Sequence, residues 1–320
     1  MRKILSIDGG GIKGVFPASF LASIEDAIEE NIGDYFDLII GTSTGGIIAL
    51  GLASGMSAKD VLAFYENDGP AIFKGNRILK GLQWFSSAKY SEEPLDKALK
   101  NCFGEKKIGE CSTRVVVPSM NLDTGEVHVY KTAHHVRFKN DYKKSIVEAA
   151  RATSAAPTFF PSMIAESGTA LIDGGMWANN PVGTAVVEAI GVLGWQPGEF
   201  KVLSIGCTKE PFSADGARKS AKGAGYWAPK LADAFMSGQT SQSLGTAQLL
   251  AGHENVYRYG DNVMPKDRYK LDGIKEIKSL KGLGETEARK VLHQIEDVFF
   301  KEKAESFVPF HQLIKEVEAG

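Results

Sequence analysis

Residues 41–46, with the sequence Gly-Thr-Ser-Thr-Gly-Gly, constrain the fold of this chain more than any other segment. The apolar run at 35–40 predicts a buried strand before them, and the run at 47–50 predicts the start of a helix after them. A Gly-x-Ser-x-Gly sequence at a sharp strand-to-helix turn is a nucleophile elbow, which holds the Ser43 hydroxyl above the end of the strand. Close approach of the flanking backbones explains the glycines on either side, Gly41 and Gly45. The chain is therefore predicted to be an α/β protein with Ser43 as a candidate nucleophile.

A glycine-rich loop at 8–14, Asp-Gly-Gly-Gly-Ile-Lys-Gly, follows the first predicted strand at 3–7. Its glycines also match the Gly-x-Gly-x-x-Gly fingerprint of dinucleotide-binding folds, which needs an acidic residue at the end of the second strand. That strand ends in Gly-Thr-Ser instead. The loop is better interpreted as an oxyanion hole, whose backbone N–H groups face a developing negative charge. Both loops are then expected at the carboxyl ends of neighbouring parallel strands.

A third motif supplies a carboxylate. Residues 170–172 predict a strand, and Asp173 follows it directly, ahead of two glycines. An aspartate in this setting is often only part of a turn. At a strand end, however, it can present its carboxylate at the same edge of the sheet as Ser43, and a serine nucleophile needs a base within hydrogen-bond distance. Burial is expected to raise the pKa of Asp173 towards the range that suits a general base.

Taken together, the three motifs resemble the patatin-like phospholipases in order and approximate spacing, as do the segments at 152–157 and 179–181. The resemblance covers residues 1–206. It implies a three-layer α/β/α sandwich with a mostly parallel central sheet. It also implies a lipid acyl hydrolase that needs no metal or other cofactor for catalysis and uses a Ser-Asp dyad, with Ser43 as nucleophile and Asp173 as base.

The same resemblance implies roles for the residues around the dyad. The oxyanion hole is expected to comprise Gly9, Gly10, Gly11 and Thr44. The remaining motif positions support the loops, namely Asp8, Lys13, Gly14, Gly41, Gly45, Gly174 and Gly175. Lys13 departs from the family pattern, which usually has Arg there. The substitution keeps the charge but loses bidentate hydrogen bonding, so it bears on the geometry of the loop and not on the dyad.

Composition narrows the function classes further. The 320 residues are 43% hydrophobic and 24% charged, as in soluble globular proteins. A net charge of −2 gives no reason to expect nucleic-acid binding. Three cysteines without a Cys-x-x-Cys pair indicate neither a disulfide framework nor a zinc site. The apolar start of the chain is too short for a signal peptide, and no run is long enough to span a membrane. A cytoplasmic protein that acts at the inner membrane surface is expected.

Two other functions fit parts of the pattern. A Ser-Asp-His esterase of the α/β-hydrolase type would need a histidine after the acid, and His253, His293 and His311 are available. Its elbow normally follows several strands, whereas Ser43 follows the second one. A non-catalytic nucleotide-binding module could instead use the loop at 8–14 alone. Covalent labelling of Ser43 separates that module from an enzyme.

The rest of the chain is predicted to support this core. Residues 69–94 lack a sustained period and contain Trp84 and Phe85, so they form either a mobile cover whose aromatics contact lipid or an ordinary loop. Residues 207–320 are predicted to be a helical extension packed on the catalytic core at 1–206. Within it we expect helical residues at 226–250, broken near Gly238, a strand at 256–259 and a helix over 285–303.

Control of such an enzyme is a further question, because an unregulated cytosolic phospholipase would attack the membrane of its own cell. More loosely, residues 4–11 and 51–73 resemble bacterial cyclic-nucleotide-activated antiphage (CBASS) phospholipase effectors. This resemblance implies a cyclic dinucleotide or oligonucleotide activator, degradation of membrane phospholipid in antiphage defence, and activation through a homo-oligomer. Basic residues at 131–151 could attract an anionic lipid or a nucleotide phosphate, or simply be solvated. A constitutive patatin-like lipase without nucleotide control is the alternative.

Overall fold

The first strand of the chain lies in the interior of a mixed sheet. A computed structural model describes residues 1–74, 88–210, 212–214, 216, 220–227, 230–261, 264–265 and 268–314. Within them eight strands form one sheet in the order β5-β6-β3-β2-β1-β7-β8, with β4 paired to β3. The strands are β1 (Arg2–Ile7), β2 (Leu38–Gly41), β3 (Arg114–Asn121), β4 (Val127–Lys131), β5 (Met163–Ile164), β6 (Ala170–Asp173), β7 (Phe200–Ile205) and β8 (Val256–Tyr259).

Strand direction divides the sheet into two parts. β1 is parallel to both β2 and β7, β2 is parallel to β3, and β7 is parallel to β8. The hairpin partner β4 and the strand β6 run antiparallel to β3, and β5 runs antiparallel to β6. The sheet is therefore mostly parallel, and β3 and β4 form a hairpin within it.

Helices cover both faces of this sheet. They are α1 (Val15–Ile28), α2 (Thr44–Ala53), α3 (Ala58–Asn67), α4 (Gly69–Ile72), α5 (Glu93–Phe103), α6 (Ile146–Thr153), α7 (Gly175–Ala178), α8 (Val182–Gly191), α9 (Ala224–Trp227), α10 (Leu231–Ala251) and α11 (Ile277–Phe299). Because side chains alternate along a strand, Leu5 and Ile39 pack into the core beneath α1 and α2, whereas Ile4 and Leu38 pack beneath α8 and α10. This is the predicted three-layer α/β/α sandwich.

Two helix predictions in the C-terminal third were wrong. α10 continues through Gly238 without a break, and α11 begins at Ile277 and not at 285. The prediction left the glycines before 285 outside the helix, but Gly284 lies inside α11 where the helix crosses α1. A Cβ there would overlap the Ser19 side chain and the Phe16 carbonyl, so the glycine permits close packing of two helices.

The C-terminal third is continuous with the sheet. β8 pairs with β7, as the strand prediction at 256–259 required, and α11 packs on α1. The boundary at 206 between a catalytic core and an extension stays a prediction. The central part of the predicted cover at 69–94, including Trp84 and Phe85, lies outside the described residues. No helix in the described ranges is long and apolar enough to cross a membrane.

Candidate active site

Ser43 lies at the apex of a tight turn between β2 and α2. Its backbone has φ 55° and ψ −123°, a conformation that residues with a Cβ adopt rarely. The turn leaves no space beside it, because a Cβ at Gly41 would overlap the Gly45 carbonyl and a Cβ at Gly45 would overlap the Ile7 carbonyl. The predicted strand-to-helix elbow is therefore present in the structure.

A threonine that the sequence analysis did not single out supports this turn from behind. The Ser43 N–H donates to Thr153 Oγ1 at 2.9 Å, and the Thr153 hydroxyl donates to the Pro118 carbonyl at 2.6 Å. Thr153 is fully buried at the end of α6, so the bond ties the turn to both α6 and β3. Its only signal in the sequence was its place in the small-residue segment at 152–157.

Asp173 reaches the turn from an antiparallel strand. β6 pairs with the distal half of β3, so its C-terminal end points back towards the end of β2. There the Asp173 carboxylate accepts a hydrogen bond from the Gly175 N–H at 2.6 Å and lies close enough to the Ser43 hydroxyl for that group to affect its pKa. Burial raises the pKa of Asp173 to about 6, and the Ser43 hydroxyl and the Gly175 N–H offset part of that effect.

The loop at 8–14 lies across the other side of Ser43. The Gly9 N–H donates to the Asn179 carbonyl at 2.9 Å, so this predicted oxyanion donor is already engaged. The Ile12 N–H donates to the Leu271 carbonyl at 2.8 Å. By contrast, the described residues offer no acceptor to the N–H groups of Gly10, Gly11 and Thr44, and all three residues line the cavity next to Ser43.

The remaining motif residues hold these loops together. Asp8 is buried and forms a bidentate ion pair with Arg258 of β8, at 2.8 and 2.6 Å. Sequence reasoning missed Arg258, because nothing local marks a pair separated by 250 residues. Lys13 is half-buried and lies outside the cavity lining. Gly14 packs against Thr44, and Gly174 packs against Pro118.

A cavity of about 380 Å³ opens beside Ser43 and Asp173. Apart from the polar groups at one end, its lining is formed mainly by apolar side chains from α2, α3, α4, α5, the segment at 156–160 and α10. Phe73 and Phe160 of this lining are in ring contact with each other and with Tyr90. A cavity of this kind accepts a hydrocarbon chain and leaves its polar end at the serine.

Within the part of the chain that the structure describes, neither a histidine nor a group of metal ligands belongs to the site. No histidine in the described part of the chain lines the cavity, and the His311 Nε2–H donates to the Val136 carbonyl at 2.8 Å. The residues described include no group of His, Cys, Asp and Glu that could hold a metal ion. Two cations of the basic stretch at 131–151 form salt bridges: Lys131 pairs with Glu188, and Arg151 pairs with Asp96.

A three-layer α/β fold with a strained serine at the end of a central strand, beside an apolar cavity, is typical of lipid ester hydrolases. A comparison with protein families matches residues 5–186 to the family described as patatin-like phospholipase. The matched region exceeds half of the chain, which therefore belongs to the patatin-like phospholipase family and is an enzyme that hydrolyses lipids.

Similar proteins come from several bacteria. A protein of Pseudomonas aeruginosa strain BWHPSA011 named cGAMP-activated phospholipase is 33% identical over 87% of this chain and 81% of its own length. One of the same name from Vibrio cholerae serotype O1 is 33% identical over 82% of each chain. A third, from Escherichia coli strain TW11681, is 38% identical over 58% of this chain and 55% of its own.

Proposed function

We propose that the chain is a phospholipase A-type hydrolase that cleaves the acyl esters of membrane phospholipid through a Ser43–Asp173 dyad. The observation that carries the proposal is the position of Ser43 beside the buried Asp173 carboxylate, with both residues lining the polar end of an apolar cavity. Serine is a weak nucleophile without an adjacent base, and Asp173 has the raised pKa that such a base needs.

The proposed reaction has two halves. Asp173 accepts the proton of the Ser43 hydroxyl while Ser43 Oγ bonds to the ester carbonyl carbon. The tetrahedral intermediate then expels the lysophospholipid oxygen, which takes the proton from Asp173 and leaves an acyl-enzyme. In the second half Asp173 accepts a proton from water, the water oxygen attacks the acyl carbonyl, and Ser43 recovers its proton as the fatty acid leaves.

Backbone donors stabilise the intermediate in this proposal. Negative charge develops on the carbonyl oxygen during each attack, and it needs donors that are already oriented. The N–H groups of Gly10, Gly11 and Thr44 have no acceptor among the described residues and lie at the cavity. We assign the oxyanion hole to these three. Gly9 contributes through its bond to Asn179, which holds the loop in place.

Activation by a cyclic dinucleotide forms the regulatory part of the proposal. Three similar proteins bear the name cGAMP-activated phospholipase, and two of them match more than four fifths of this chain. We propose the same switch here, with assembly of several copies as its consequence and degradation of the cell's own phospholipid in antiphage defence as its purpose. A constitutive lipase is the alternative.

Fatty-acid release from phosphatidylglycerol–phosphatidylethanolamine vesicles, with and without cGAMP, tests both parts. We expect release only with the nucleotide, and a loss of at least about a thousandfold in Ser43→Ala and in Asp173→Asn. Ser54→Ala is the matched control, since that serine directly follows α2 and its hydroxyl donates to the Gly51 carbonyl. Equal release with and without cGAMP would leave the constitutive lipase. Activity retained in either dyad variant would refute the mechanism.

Two alternatives remain to be separated from this one. A fluorophosphonate should label Ser43, because the reagent reacts with an activated serine, and a nucleotide-binding module would stay unlabelled. A variant without His253, His293 and His311 should keep its activity, since no described histidine lines the cavity. Loss of labelling in that variant would favour a Ser-Asp-His enzyme.

A further inference from the structure

We propose that the N-terminal half of α10, together with α9, is the surface by which the protein docks on an anionic phospholipid bilayer. This inference rests on the proposed function, because it specifies how a membrane lipid reaches the cavity at Ser43. It concerns described residues at the rim of that cavity, and it does not involve the basic stretch at 131–151 or the cover at 69–94.

One side of α10 lines the cavity, and the adjacent side of the helix is exposed to solvent. Ala232 and Met236, one turn apart, line the cavity. Leu231 and Phe235, each one position earlier, have 47% and 74% of their surface exposed. Adjacent positions on a helix point about 100° apart, so the exposed pair lies next to the cavity-lining pair. The apolar surface of the cavity thus continues outward onto the helix.

Two residues from other elements extend this rim. Met176 of α7 lines the cavity and is also 56% exposed. Leu271 lines it too, is partly exposed, and receives the Ile12 N–H on its carbonyl. α7 and α10 are joined at this rim, where the Asn179 N–H donates to Gln239 at 2.7 Å. Large exposed apolar side chains on the elements that line a lipid cavity are the kind of apolar surface that marks an interaction site.

The charges and aromatic residues next to this patch identify the partner. Tyr226 and Trp227 of α9 are half-exposed, and their rings are in edge contact. The ammonium groups of Lys222 and Lys230 lie over the Tyr226 ring, 6.0 and 5.1 Å from its centre. Aromatic rings with lysines beside them are favoured at the boundary between headgroups and hydrocarbon. Anionic headgroups complement these cations, and the acyl region complements Leu231 and Phe235.

Vesicle flotation tests the surface directly. The background is Ser43→Ala, so that bound vesicles are not degraded, and cGAMP is present in one of two parallel series. We expect L231S/F235S to reduce binding to phosphatidylglycerol-containing vesicles at least tenfold. Reversal of the two cations in K222E/K230E should weaken binding to these vesicles but not to pure phosphatidylcholine. Leu249→Ser is the matched control, because Leu249 is 88% exposed on the same helix about 21 Å further along.

Activity measurements distinguish this inference from the proposed function. With Ser43 present, L231S/F235S should lose at least ten times more activity on vesicles than on a soluble short-chain ester. Equal losses on both substrates, unchanged flotation, or no flotation of the parent protein in either series would overturn the docking surface. Absence of ester hydrolysis in the parent would instead overturn the proposed function, since flotation can still be measured. If L231S/F235S changed the sedimentation of the protein but not vesicle binding, a second copy of the chain would be the occupant.

Discussion

At the level of single residues, the burial of Asp173 determines both its chemistry and its effect on stability. Burial raises its pKa to about 6, above the ordinary value of 3.8. A carboxyl group whose pKa is raised in the folded chain destabilises that state once it ionises. The destabilisation is absent below about pH 4, grows through about pH 6 and is complete above it. The site of the proposed base thus disfavours the ionised carboxylate, which is the form that accepts a proton.

The pH dependence of hydrolysis follows from this pKa. The proposed reaction needs ionised Asp173, so kcat/KM on a soluble ester should be constant above about pH 7 and fall roughly tenfold per pH unit well below pH 6. Stopped assays over pH 4.5–8.5 in the presence of cGAMP measure it. Circular dichroism at each pH is the control for unfolding. A profile that is flat down to pH 5 in folded protein would contradict the role of Asp173 as base.

At the level of elements, the contact between α1 and α11 depends on one glycine. Gly284 and Gly282 both lie in α11. A Cβ at Gly284 would overlap Ser19 and the Phe16 carbonyl, whereas a Cβ at Gly282 would meet nothing within 4 Å. The two positions therefore separate the packing role of a glycine from its low helix propensity.

Alanine at these two positions should have opposite effects. Gly284→Ala should lower the free energy of unfolding by about 1–3 kcal/mol or more, because the overlap involves backbone and forces the helices apart. Gly282→Ala should raise it by roughly 0.5–1 kcal/mol. Urea denaturation of both variants is the measurement. Equal effects of the two substitutions would show that the helices do not meet as described.

At the level of the whole molecule, a buried ion pair joins the C-terminal strand β8 to the loop beside Ser43. Arg258 donates to both carboxylate oxygens of Asp8, to Asp261 and to Ser204. Burial alone would lower the pKa of Arg258, but the two carboxylates outweigh it and raise that pKa. Removal of one partner leaves a buried charge without compensation, which is more costly than removal of both.

A double-mutant cycle tests this connection. Arg258→Met should lower the free energy of unfolding by about 3–5 kcal/mol, because the Asp8 carboxylate stays buried. Asp8→Asn in the same chain should restore part of that loss. Denaturant unfolding is measured for the parent protein, the two single variants and the double variant. Additive losses in the double variant would mean that the pair is not coupled.

The local patterns of the sequence determined the elements and the identity of the candidate site. Ser43 and the loop at 8–14 could be interpreted because a strand-to-helix turn and its glycines are encoded by adjacent residues, and Asp173 because it ends a short apolar run. The predicted helix break at Gly238 and the predicted start of α11 at 285 were wrong, because tertiary packing overrode local propensity at those glycines.

Only the tertiary structure decided which distant residues meet. Three hydrogen-bonded pairs show this: Ser43 with Thr153, Asp8 with Arg258, and Ile12 with Leu271. Their members are 110, 250 and 259 positions apart in the sequence. No local periodicity marks such pairs, because the order of strands in the sheet sets them. The sequence of α10 predicts a helix, but it does not predict that one face of this helix lines the cavity. Local patterns specify elements, whereas the site depends on long-range contacts between them.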